Sequence, residues 1–199
     1  MGSAPWEKQY APADVYYAPI GEAFPDVDTT PSGNWKALAL ATEITEDGII
    51  IGGAVQAAMM RSLGSVAPVK AGVVTRDFAI AFAVEDISPE VVALAMGADP
   101  ADATTGVITA AAGGGHPGTK KIALPASPTP QGWAIIIRWD QSSEGDFSSQ
   151  LEIKSAVQVG DAGFVFSKSN PNAPKFNLQA LYTDSAWVTY TVQSAVASP

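Results

Sequence analysis

Residues 78–97 read FAIAFAVEDISPEVVALAMG and combine a strand pattern with a helix pattern. Large side chains at positions 78, 80, 82 and 84 alternate with alanines at 79, 81 and 83. This alternation predicts a strand that buries its large residues on one face. The uniform alanine on the other face is unusual, and indicates a surface that another surface approaches closely.

Start and stop signals bound a short helix over about 88–96. Ser88 suits the N-cap position, and Pro89 suits the first helical position, where no amide donor is needed. Glu90 favours the positive end of the helix dipole. Gly97 is the residue type expected in the left-handed position that ends a helix. Strand and helix signals are mutually consistent, which strengthens both predictions.

The rest of the chain predicts a mainly β protein. Alternating or apolar runs indicate short strands at 15–18, 35–40, 106–112, 119–124, 132–140, 151–159, 175–183 and 187–193. In the run 151–159 every second residue from Leu151 to Val159 is expected on one face. Many short strands and one convincing helix favour a β-sandwich or barrel with that helix packed on it. We expect an N-terminal arm at 1–13 and a single domain at 14–199.

Composition limits the classes of function. Of the 199 residues, 47% are hydrophobic and 16% charged, which is typical of a folded chain. The absence of cysteine excludes disulfides and thiolate metal sites. The net charge is −9; residues 1–102 hold 14 acidic and 5 basic side chains, and residues 103–199 hold 6 of each. A basic footprint for gripping nucleic acid is therefore not expected. No apolar run approaches the roughly 20 residues that span a bilayer, so we expect no membrane partner.

Motifs for catalysis and cofactors are incomplete. Gly113 and Gly118 have P-loop spacing, but Thr119-Lys120 follows where lysine should come first. His116 is the only histidine, which excludes multi-histidine metal sites. Asp26-Val27-Asp28 begins like a calcium loop, but the later ligands are missing. We therefore expect no enzyme activity, no metal and no cofactor.

Framework motifs along most of the chain resemble one family. They are Val15–Gly21, Phe24-Pro25, Gly33-Asn34-Trp35, Thr45–Gly48, Arg61–Ser65, Pro68-Val69-Lys70 and the strand and helix of 78–94, with weaker similarity through Gly118–Ile122, Gly132–Trp139 and the last two strands. The set resembles the major tail (tail tube) proteins of siphophages. The resemblance implies a fold related to type VI secretion tube proteins.

The same resemblance implies a structural virion protein, assembled in the host cytoplasm. Six subunits would form a ring, and rings would stack into a tube around the tape-measure protein, through which double-stranded DNA later passes. Tail-terminator and distal tail or baseplate proteins would be further partners.

One segment departs from the family pattern. Family members often carry a glutamate-rich segment after the acidic turn Glu46-Asp47-Gly48, whereas positions 52–60 here are uncharged. We therefore expect a more apolar seam between subunits. The interface candidates are Ile49, Ile50, Ile51, Val55, Ala57, Ala58, Met59 and Met60.

The excess of acidic residues in the first half suggests that some of them line the lumen, where they would repel the DNA backbone. The lumen candidates are Glu46, Asp47 and Glu85. The alternative is that these acids are solubilising surface groups or ion-pair partners of nearby cations.

An alternative hypothesis is that the chain is a monomeric β-sandwich binding module, such as an adhesin or a carbohydrate-binding domain. It predicts a discrete particle with a ligand cleft lined by exposed aromatic residues. Trp35, Trp133 and Trp139 fall on apolar strand faces, however, and we expect them in the core.

Overall fold

The computed structural model describes residues 13–60, 70–85, 88–100, 131–139, 148–160, 173–183 and 186–193, with backbone alone at 57–60 and 70–75. The elements are β1 (Asp14–Pro19), β2 (Lys36–Ala39), β3 (Ile50–Met60), β4 (Lys70–Ala83), α1 (Pro89–Ala95), β5 (Gly132–Trp139), β6 (Ser149–Gln158), β7 (Lys175–Ala180) and β8 (Val188–Val192). The predicted mainly β fold with one short helix is confirmed for these residues. The predicted hairpin of 106–112 and 119–124 lies outside them, as do arm residues 1–12.

All strand pairs are antiparallel, and they form one connected sheet in the order β2-β1-β5-β6-β7-β4-β3. β6 is the branch point of this sheet. Along one edge it pairs with β5, while along its other edge residues 149–153 pair with β8 and residues 156–158 pair with β7. β7 and β8 thus pair with different parts of the same edge of β6. The sheet therefore divides at β6 into two halves, which enclose a sandwich-like core.

The main core lies between these halves and receives one face of β4. Ile80, Phe82 and Val84 are buried there, as the alternation predicts. The ring of Phe82 stacks on that of Phe176 in β7, with 4.9 Å between centroids. Three residues of α1 also enter this cluster, namely Val91, Leu94 and Ala95.

Helix α1 begins and ends as its sequence predicts. The Ser88 side-chain oxygen accepts a hydrogen bond from the Val91 amide at 3.4 Å. Gly97 adopts a φ of +71°, and its amide donates to the Leu94 carbonyl at 2.9 Å. The next amide, of Ala98, donates to the Ala93 carbonyl at 2.9 Å, which completes a Schellman cap.

A second, smaller cluster lies on the outer face of β1 and β5. Tyr16, Ala18, Ala134 and Ile136 are covered there by residues 20–35, which carry Trp35 and Phe24. We call residues 20–35 the strap.

Hydrogen bonds from buried side chains hold the strap in place. Arg138 of β5 donates to the Thr29 carbonyl, and Gln150 of β6 donates to the Pro25 carbonyl at 3.0 Å. The Trp35 indole nitrogen donates to the Ala23 carbonyl at 2.9 Å. Both Arg138 and Gln150 are buried, so the strap carbonyls satisfy donors that would otherwise be costly to bury.

One strand prediction was wrong in part. Leu151 and Ile153 lie in the core, but the next core position belongs to Ala156, and Val159 is 40% exposed. The register between β5 and β6 shifts opposite residues 153–156. Such a bulge turns later side chains to the other face, so the period of two does not continue to Val159.

Candidate functional site

The hairpin of β3 and β4 extends past the body of the sheet. β4 pairs with β3 over residues 70–81 but with β7 only over residues 79–83. Residues 53–60 and 70–78 therefore form a two-stranded ribbon, which we call the hairpin arm. Its nine residues of β4 span about 30 Å at the usual strand rise. A two-stranded ribbon has little internal stability, so the arm depends on surfaces that it contacts.

The first six residues of β3, at the base of the arm, expose large apolar side chains on both faces. The Ile50 side chain is 64% exposed and lies on the alanine face, opposite Ala81. Val55, on the other face, is 56% exposed, and Ile51 is also exposed. Three predicted interface residues are therefore at the surface. Ile49 is partly buried against the core, and only the backbone of 57–60 is described, all of it within β3.

The glycines at the base of the arm are not required by the chain's own packing. Gly52 and Gly53 do not have positive φ values. A Cβ on Gly52 would meet no atom within 4 Å, and one on Gly53 would make ordinary contacts of 3.4 Å or more. Glycine weakens a strand interior, and its presence there often marks a close approach of another backbone. The surface of the sheet at Gly52 and Gly53 is therefore flat and open to close approach.

The outer edge of β3 has no partner strand among the described residues. Its sequence, IIGGAVQAAMM, contains no charge and no proline. Free edges in monomeric proteins usually carry lysine, proline or a cover that prevents pairing with other chains. By contrast, the edge strand β2 begins with the exposed Lys36.

The predicted acidic turn is present next to this edge. The Gly48 amide donates to the Thr45 carbonyl at 2.8 Å, and Gly48 has a φ of +69°. Glu46 and Asp47 are exposed, and neither has a hydrogen-bond or ion-pair partner within the described chain. Asp47 lines a cleft of about 140 Å³ together with Ala81 and Lys175.

Glu85, the third lumen candidate, lies beyond the end of β4. It is exposed, and its amide donates to the Glu43 carbonyl at 2.7 Å. Because Val84 is buried, alternation directs the neighbouring Glu85 to the alanine face. Asp47 and Glu85 therefore lie at the same end of that face, whereas Glu46 lines none of the described clefts.

A cleft of about 220 Å³ bears on the alternative of a binding module. It is lined by Tyr17, Trp133, Asp99, Gln131 and others, but both rings are buried and pack edge to face with 5.5 Å between centroids. Burial, with smaller contributions from Glu90 and Asp99, raises the pKa of Tyr17 above its ordinary value. These rings offer no open stacking face for a ligand.

The exposed aromatics instead lie near β8. Tyr182 is 76% exposed and packs edge to face on Trp187, and Tyr190 contacts Trp139 in the same way. This grouping and the strap were not predicted from the sequence. The signal for the strap was Arg138, a charged residue directly after the apolar run Ile135–Ile137.

The described residues do not show the features of a metalloprotein or of a protein with membrane-spanning helices. No group of three or more metal-ligating side chains occurs in the described part of the chain. Nor does that part contain a helix with the length and hydrophobicity needed to cross a bilayer. The glycine loop with His116 lies outside the described residues. No protein-family model matches the chain, and the curated proteins include no matching sequence.

Proposed function

We propose that this chain is the structural subunit of a siphophage-type tail tube, in which six copies form a ring and rings stack into a hollow tube. The observation that supports this proposal best is the hairpin arm with its uncharged free edge. Exposed apolar edges promote aggregation of a protein that functions alone. In an assembly, neighbouring copies would cover the same surface.

The positions of the sheet edges also favour assembly by contacts between two different surfaces of the subunit. β3 lies at one end of the sheet path, and β8 provides a separate uncharged edge that branches from β6. A contact between two different surfaces closes into a ring if its rotation closes, and otherwise continues as a filament. In a stacked tube, contacts within a ring would close, and contacts between rings would continue along the tube.

The flat alanine face supports close packing or a smooth wall. Ala79 and Gly52 are exposed and lie opposite each other in neighbouring strands. Asp47 and Glu85 stand at one end of this face. In a ring of six, each carboxylate would occur six times and would repel the phosphate backbone of DNA.

In the virion, the lumen would hold the tape-measure protein before ejection and would then conduct DNA. Tail-terminator and distal tail or baseplate proteins would close the two ends. Assembly would take place in the host cytoplasm. These partners follow from the family resemblance.

Electron microscopy of the purified full chain tests the proposal. We expect hollow tubes of uniform width in negative stain, and light scattering that rises with protein concentration. Tape-measure protein should increase the yield of tubes if it acts as their internal template.

A chain that remains monomeric at high concentration, with or without tape-measure protein, would refute the proposal. If that monomer bound a glycan, and Tyr182→Ala abolished binding, the binding-module alternative would be supported instead.

A further inference from the structure

A groove of about 350 Å³ lies where the hairpin arm leaves the sheet body. Gly53, Val55 and Phe78 form its apolar floor on one face of the arm, and Trp187 with Val188 forms the opposite wall. Phe78 of the floor and Trp187 of the wall both pack against the main core, which holds the two sides of the groove in place.

Arg76 lies in this groove and has no pairing partner among the described residues. It is exposed, it stands opposite Val55 in the hairpin, and no described residue forms a hydrogen bond or ion pair with its guanidinium. Asp77 contributes to the rim, but alternation directs its side chain to the other face of β4. A cation beside apolar and aromatic walls favours a carboxylate, because a guanidinium binds that group with paired hydrogen bonds.

The chain also carries an exposed carboxylate that is too far from Arg76 of the same copy to pair with it. Glu46 is at the tip of the turn Thr45–Gly48, exposed and unpaired within the described chain. The turn lies beside Ala81, whereas Arg76 is five residues earlier on β4. At about 3.3 Å per residue this separates them by roughly 17 Å.

We propose that Glu46, at the tip of the acidic turn of one copy, enters the Arg76 groove of the next copy and pairs with Arg76. This inference rests on the proposed function, since it describes one contact within the tube. Two opposite charges at different places on one chain, each without a partner among the residues that the structure describes, suit a head-to-tail contact. The contact removes Glu46 from the lumen candidates and leaves Asp47 and Glu85, which lie by the alanine face.

Charge reversal and charge exchange test the contact. R76E and E46K should each raise the protein concentration needed for tube assembly by roughly fivefold to tenfold, as sedimentation measures it. The double variant R76E/E46K should return close to the wild-type value, because it restores the pair with its signs exchanged. An unchanged urea midpoint for each variant would show that folding is intact.

Matched controls distinguish the loss of this ion pair from a general effect of changed net charge. K36E makes the same change as R76E at an exposed cation outside the groove, and E85K makes the same change as E46K at an exposed acid outside the turn. Both should assemble like the wild type. If either control impaired assembly as strongly as its partner variant, the specific pair would be refuted.

Cross-linking gives a second, independent readout. The chain contains no cysteine, so E46C and R76C each introduce a single thiol. A short bis-maleimide should link copies in an equal mixture of the two variants, and should link far fewer copies in either variant alone.

The outcomes distinguish this inference from the proposed function. Tubes of wild-type protein combined with normal assembly of R76E, or with no rescue in the double variant, would refute the contact alone. A closed dimer linked through the same two thiols would also refute it. A wild-type chain that never assembles would refute both proposals.

Discussion

The outer face of the sheet is buried beneath the strap but exposed near the hairpin arm. Over β1 and β5 the face carries large residues such as Tyr16 and Ile136, and the strap buries them. Near the arm, the same face carries the small residues Ala79 and Gly52 beside Ile50, and the described chain leaves these three exposed. The contrast indicates that one region maintains the fold while the other is available to neighbouring molecules.

The largest expected effect compares two aliphatic truncations. Ile136→Ala, under the strap, should lower the free energy of unfolding by about 2–5 kcal/mol, since it leaves a cavity at a fully buried site. Val55→Ala, in the arm, should change it by less than about 0.5 kcal/mol. Urea denaturation measures both, and equal losses would show that the arm is part of the stability core.

A charge on the exposed alanine face should affect assembly and not folding. Ala79 is exposed, and its cross-strand neighbours Gly52 and Gln179 are uncharged. Ala79→Glu should leave the urea midpoint within about 0.5 kcal/mol of wild type. It should lower the extent of tube formation at least about tenfold, because the carboxylate would be desolvated against a neighbour.

Ala37→Glu is the matched control, since Ala37 is an exposed alanine on the edge strand β2. It should fold and assemble normally. Normal tubes from Ala79→Glu would show that the alanine face is not a subunit contact and would favour its assignment to the lumen.

The smallest expected effect concerns the acids at the end of that face. Lysine at Asp47 or Glu85 should leave tube assembly intact but slow DNA ejection, most visibly at low salt, because a cationic ring attracts phosphate. The measurement is the rate of DNA release from phage carrying the variant. Unchanged ejection from both variants would place these acids outside the lumen.

Local sequence signals predicted the elements whose determinants are close together in the chain. Ser88, Pro89 and Gly97 act within a turn of α1, and the alternation of 78–84 acts between neighbouring residues. The acidic turn ending at Gly48 is likewise local, since a single hydrogen bond over three residues closes it. These features follow from the sequence because a cap or a turn needs no distant partner.

Long-range pairing decided the rest. The glycine-broken segment 49–60 showed its apolar composition in the sequence, but only pairing with β4 makes residues 50–60 a strand. Only the short ladder between β4 and β7 leaves residues 53–60 in the hairpin arm. The bulge opposite Trp133 and the branch at β6 depend on strands far apart in the chain.

The sequence by itself determined the mainly β class, the single predicted helix, the buried and alanine faces of β4, and the uncharged character of β3. The tertiary structure alone decided which faces are covered and which charges are left without partners. It buried Arg138 beneath the strap and left Arg76 in its groove with no pairing partner in the described part of the chain, although both are arginines in alternating strands. The physical reason is that burial and charge pairing are properties of packed neighbours, which a strand acquires only when distant segments come together.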